Sequence, residues 1–267
     1  MKWTGFALAL ALLLGSTAAA QIFFNPNTVY TQDFDSLGGP PPGTVAWANN
    51  VTLPGWFAAD SGGVVAVYHR SNGSSATGGL YSYGPNPNGV LDRALGSQAS
   101  NATGEITWGV QFVNAHPTWV LTSFTVSYDV EQWRDASEDD TTTYFEYSLN
   151  AVSVDDPLAT WNPAPPFADL NSIHSNNSGA LDGNAAANRY NVVLLVTGIN
   201  WAPGTSLWLR WRDPNDPGSD HGMAIDNFSF SAVPEPTTFA LVGLGMGAAG
   251  LVSRRLRRKK TEQPIAV

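Results

Sequence analysis

Asp226 is the residue whose setting most demands chemistry. Alternation over 223–231 puts Ala224, Asp226, Phe228 and Phe230 on one face of a strand. A carboxylate in register with two phenylalanines is expected to be buried. A buried charge must be neutralised, hydrogen-bonded or bound to a metal. Two other outcomes fit the same residues: a β-bulge that turns Asp226 outward, or pairing with an arginine. The segment from Asp213 to Asp220, Asp-Pro-Asn-Asp-Pro-Gly-Ser-Asp, has the oxygen-rich make-up of a calcium loop. Pro217 occupies its third ligand position and no helix flanks follow, so an ordinary turn accounts for it.

A second constellation is Trp208, Arg210 and Arg212, outward-facing on an expected strand. An aromatic ring stacks on a sugar, and guanidinium groups grip an anionic glycan. Equally, Trp208 can lie under another layer while the arginines pair with nearby acids. Trp133 with Arg134, and Tyr68 with His69 and Arg70, admit the same two readings. Evidence for catalysis is thin. His69, His116, His174 and His221 show no metal-ligand spacing, and there is no G-x-S-x-G and no cysteine. Glu131 and Glu146 form a conceivable glycosidase acid pair, but an acidic β protein offers such pairs by chance. The chain is expected to be non-catalytic.

The elements that position these residues read as strands. In 123–130, Phe124, Val126, Tyr128 and Val130 alternate with Thr125, Ser127 and Asp129. Segments 143–150 and 206–212 alternate likewise, with Phe145, Tyr147 and Leu149, and then Leu207, Leu209 and Trp211, facing inward. Further strands are expected near 29–34, 64–70, 80–83, 105–113, 191–196 and 223–231. Gly, Pro, Asn and Ser punctuate the chain, and no long helical spacing occurs. The expected architecture is all-β: one antiparallel β-sandwich, in jelly-roll form, over 21–232. The stretch 155–188 is expected to be a long excursion.

Residues 21–232 contain no lysine, six arginines and twenty Asp or Glu, a net charge of −14. Such a polyanion is a poor nucleic-acid binder, because phosphate contact needs Lys and Arg. It suits an exported protein that stays soluble by repulsion or binds divalent cations.

Both ends carry targeting patterns. Lys2, an apolar core over 6–14 and the small residues Ala18, Ala19 and Ala20 form a signal peptide over 1–20, cleaved before Gln21. At the other end, Pro234, Glu235 and Pro236 precede an apolar run over 237–253. A basic stretch, 254–260, follows with Arg254, Arg255, Arg257 and Arg258. Seventeen residues of helix extend about 25 Å, near the lower limit for a transmembrane helix. The basic stretch should remain cytoplasmic and act as a membrane stop. Over 233–260 the order of tripeptide, span and arginine cluster resembles the PEP-CTERM sorting signal. That resemblance implies an exosortase-type sorting enzyme as partner and an inner-membrane precursor. It further implies scission near the tripeptide and a final place at the cell surface or outside the cell.

The region between also resembles a lectin-like, carbohydrate-module-like sandwich of secreted bacterial proteins. The pieces that carry it include Asp33-Phe-Asp-Ser-Leu37, Leu53-Pro-Gly-Trp-Phe57, Glu131-Gln-Trp-Arg134 and Gly218-Ser-Asp-His-Gly-Met-Ala-Ile-Asp-Asn-Phe228. The resemblance implies a structural calcium held between the first and last strands, here by Asp35 and Asp226. It also implies extracellular polysaccharide as an alternative partner.

Overall fold

The computed structural model describes residues 21–38, 43–86, 92–136, 141–175 and 178–234. The expected signal peptide and span lie outside them. Among the described residues no helix is long and apolar enough to cross a membrane.

The strands are β1 (Ile22–Phe24), β2 (Tyr30–Gln32), β3 (Gly43–Ala46), β4 (Trp56–Asp60), β5 (Gly63–Val64) and β6 (Val67–Ser71). There follow β7 (Gly79–Tyr83), β8 (Ala94–Gln98), β9 (Ile106–Asn114), β10 (Leu121–Asp135), β11 (Thr142–Ser148) and β12 (Asn162–Pro163). The last are β13 (Leu170–Asn171), β14 (Gly179–Ala180), β15 (Arg189–Trp201), β16 (Ser206–Asp213) and β17 (Gly222–Val233). One sheet runs β12-β11-β16-β9-β4-β5, with β1 beside β9 and β13 beside β11. The other runs β14-β10-β17-β8-β7-β6-β3, with β15 beside β10 and β2 beside β17. Pairing is antiparallel except for β1 with β9 and β6 with β7. The all-β sandwich expected from alternation is the fold.

The core lies where the inward faces meet. Phe124, Val126, Tyr128 and Val130 of β10 are at most 1% exposed. Phe112 of β9 stacks on Phe230 of β17 at 4.2 Å, joining the two sheets. Trp211 stacks on Trp108 at 4.9 Å and meets Phe145 at 5.0 Å and Tyr128 edge-on at 5.3 Å. Each such ring buries about 150–250 Å², so a cysteine-free chain gains its stability here.

β1, β3, β4 and β8 lie outside the expected strands. Every residue of β8 is buried, because both its faces are covered, so it shows no alternation to read. Among the described residues the 155–188 stretch is mainly connection, with the two-residue strands β12, β13 and β14 and a 3-10 turn at Pro166–Ala168.

One end of the sandwich gathers three connections, 25–29, 115–120 and 202–205, and the end of β17. Asn114, 1% exposed, fastens it. Its Nδ2 donates to the carbonyls of Trp119 (2.9 Å) and Trp201 (3.0 Å), and its own carbonyl accepts the Gly204 N–H (2.8 Å). The Ala115 N–H in turn donates to Phe24 O at 2.9 Å.

Candidate functional site

Simple parity fails at Asp226. Its neighbour Asn227 has φ 50°, and the β10–β17 register shifts between Ser127/Asp129 and their partners Ser229/Asp226. This is a bulge, and it flips the strand. Met223 and Ile225 enter the main core before it, and Phe228, Phe230 and Ala232 after it. Ala224 joins a separate cluster with Tyr81, Tyr83, Ala94 and Trp133 on the opposite face. Asp226 shares the Ala224 face. The expected register with the two phenylalanines is thereby corrected, yet Asp226 is only 2% exposed.

Asp226 is among other acids there. Burial, then repulsion from Glu131, Asp92 and Asp35, pushes its pKa up to about 8. Glu131, 1% exposed, is pushed to about 7, chiefly by burial. Its Oε2 accepts the Trp133 Nε1–H at 2.9 Å, while Oε1 is buried without a hydrogen-bond partner. The Asp35 carboxyl is raised by burial, opposed by the Arg93 N–H, which donates to it at 2.9 Å. Asp226 accepts from the Asn227 backbone (2.6 Å) and side chain (3.1 Å). The ion pairs among the described residues do not include Asp226.

Backbone conformation marks the same place. Five described non-glycine residues have positive φ, and three of them, Phe34, Asp92 and Asn227, lie in or beside this group. Such conformations cost energy and concentrate where function requires them. Calcium takes carboxylate, carbonyl and water oxygens. The orphaned Glu131 oxygen and the mutually repelling Asp35, Asp92 and Asp226 fit that chemistry. Among the described residues no three His, Asp or Glu side chains form a ready cage, so carbonyls and water would complete the shell.

Beside the acids runs an aromatic row. Trp133 is parallel to Tyr83 at 6.1 Å, Tyr83 stacks on Tyr81 at 4.7 Å, and His69 meets Tyr81 at 5.2 Å. Above Trp133 opens a cleft of 310 Å³ lined by Asn72, Pro85, Ala180, Leu181 and Asp182. The sequence reading had Trp133 and His69 only as ambiguous aromatics, and Glu131 only as a chance acid. For Glu131 and Trp133 the signal is the parity Asp129-Glu131-Trp133, opposite to the core face of β10; His69, on β6, lies outside it.

The Trp208, Arg210, Arg212 stripe does face outward on β16, but it is covered and paired. Trp208 is 1% exposed, packed with Phe57, Ala151, Val154 and Trp161. Arg210 binds Glu146 at 2.6 Å, donates to Val154 O at 3.2 Å and stacks on Trp161 at 3.7 Å. Arg212 binds Glu105 at 3.0 Å and lies over the exposed Tyr144 ring at 4.9 Å. Glu131 and Glu146 occupy outer faces of opposite sheets, so the conceivable glycosidase pair is not assembled. Asp213 is buried and held by Ser97 Oγ at 2.7 Å, and the Asp220 carboxylate caps the Asp216 N–H at 3.1 Å. That segment satisfies its own turn.

The sorting tripeptide follows β17 at once. Ala232 is 1% exposed in the core, Val233 pairs with Ser123, and Pro234 is next. Residues 232–259 match the PEP-CTERM protein-sorting motif. The chain carries that sorting signal. The signal marks an exported protein with a membrane-anchored precursor, and its first residue belongs to the sandwich core.

No curated protein matches the chain. Among solved structures, the CBM22-1 xylan-binding domain of Paenibacillus barcinonensis Xyn10C is similar at 10% identity and TM-score 0.34, over 79% of this chain and 98% of that one. The K3 cleaved adhesin domain of Lys-gingipain from Porphyromonas gingivalis is similar at 10% identity and TM-score 0.39, over 76% and 97%. The enzymatically active domain of bacteriophage CBA120 tailspike protein 4 is similar at 9% identity and TM-score 0.35, but this chain spans 19% of its length.

Proposed function

We propose that this is an exosortase-processed cell-surface or extracellular-matrix protein whose sandwich is a non-catalytic module. The observation that carries the reading is the junction at Ala232, where the matched sorting motif begins inside the last core strand. The domain and its address label are one continuous unit. In cells that carry an exosortase, exchanging Glu235 or deleting 254–260 is expected to trap unprocessed protein in the membrane fraction. Native protein that stays in the cytosol with its C-terminal arginines intact would defeat the reading.

Calcium bound by Asp35 and Asp226, with backbone carbonyls and water completing the shell, is the cofactor we propose, as a clamp between the start and the end of the fold. What supports it is the repulsion of the buried Asp226 from Asp35, beside the unpartnered Oε1 of Glu131.

A second reading is polysaccharide binding. The cleft that reaches Trp133 favours it, with the polar side chains of Asn72 and Asp182 at its walls, while Trp133 itself, 1% exposed, serves as packing beneath it. Tryptophan emission followed during titration with polysaccharides tests it. A response in the native protein that is absent in Asp182→Ala supports the cleft, and a flat titration with every glycan rejects it.

A further inference from the structure

The sandwich is a polyanion with one uncharged end. The segments 21–32, 106–128, 190–209 and 227–234 contain no Asp, Glu, Lys or Arg. They meet at the end fastened by Asn114, where β17 leaves for the sorting motif. That end also presents apolar side chains to solvent. Phe23 is 63% exposed, Val29 64%, Trp119 44%, Val120 39% and Val233 42%. Trp119 is held in place. Its ring stacks on His116 at 4.1 Å, and His116 Nδ1 accepts the N–H of Thr118 (3.2 Å) and of Trp119 (2.8 Å).

We infer that this end rests on the lipid headgroup layer while the precursor is anchored. The inference builds on the anchored-precursor reading above. Chain length argues for it first. Val233 to Thr237 is four residues, at most about 14 Å when fully extended. A headgroup layer is about 5–8 Å thick, so the end of β17 cannot stand far from the hydrocarbon. Charge argues for it second. An ectodomain of net −14 is repelled by an anionic leaflet, whereas the four segments that form the end brought to that leaflet contain no acid, and Glu235 of the tripeptide is the first beyond them. Third, tryptophan with a few aliphatic neighbours and no charge is the side-chain chemistry that settles at a membrane–water interface. Exposed apolar side chains gathered at one end of an otherwise acidic protein call for such an occupant.

The test uses the full chain reconstituted into phosphatidylethanolamine/phosphatidylglycerol vesicles. Because the chain has no cysteine, single nitroxide labels can be placed at Thr118→Cys, Val120→Cys and, at the far end, Asn101→Cys. Flotation with the vesicles after alkaline washing reports the anchor, and collision with a water-soluble relaxant reports depth. The expected result is flotation, with the labels at 118 and 120 shielded on the order of fivefold relative to that at 101. Flotation with all three labels equally accessible overturns the docking inference and leaves the anchored precursor standing. Failure to float overturns the anchored precursor and the docking with it.

Discussion

Asp226 and Phe228 are two residues apart on one strand, yet they face opposite sides of their sheet. The bulge at Asn227 separates them, giving the acid to the outer face and the ring to the core. Asn227 also donates to Asp226 and to Asp129, both at 3.1 Å. Asn227→Ala should therefore lose about 2 kcal/mol, from a left-handed backbone with a Cβ and from two side-chain hydrogen bonds. Asn227→Gly should lose less, because only the hydrogen bonds go. Urea midpoints rank the two variants, and equal midpoints would show that backbone conformation is not what Asn227 supplies.

Stability should fall with rising pH when calcium is withheld. Asp226 and Glu131 have folded pKa values near 8 and 7, above those of free carboxyls. Between about pH 4 and 8 the native state holds protons that the unfolded chain has lost, so the slope of unfolding free energy against pH is negative. The loss runs at about 1.4 kcal/mol per pH unit for each carboxyl over the range in which it stays protonated only in the folded state. Calcium favours the ionised forms and should restore the melting temperature most at pH 8. A melting temperature that ignores both EDTA and pH over this range rejects the clamp.

Asp226→Asn separates the acid from the metal. It removes a buried carboxyl that is hard to ionise, so the calcium-free protein at pH 8 should melt higher than the native one. Added calcium should then shift it far less than it shifts the native protein. An undiminished calcium response would move the site elsewhere.

The Arg210–Glu146 pair holds a loop over Trp208. Arg210→Ala leaves Glu146 beside Arg212 alone and takes a cation from the Trp161 ring, with an expected cost of about 3 kcal/mol for a mostly buried pair. Trp208 emission should shift to the red as the 151–161 segment loosens. Unchanged emission would mean that the apolar packing of Val154 and Ala151 suffices.

The sandwich was legible because β10, β11 and β15 have one partly exposed face and the sequence of β16 alternates even under its cover. Phe124 to Val130 and Leu207 to Trp211 alternate plainly, and both enter the core where alternation puts them. β8 was illegible because its outer-facing Ala94 packs among Tyr81, Tyr83 and Trp133 of β7 and β10 and no exposed side marks its parity. Asp35 and Asp226 were legible as acids at the two ends of the fold, but the face of Asp226 was not. A single left-handed residue reverses strand parity, and Asn is one of several residues that can adopt it. Glu131 was hidden for another reason: its importance comes from neighbours 95 positions away on β17, which no local pattern announces.

The last described rung of β17 joins Val233 to Ser123, one residue before the tripeptide. A cut beyond that point removes no pairing that the strand makes. Scission there would move the protein without unpicking its sheet, and the freed molecule should show the strand content of its anchored parent.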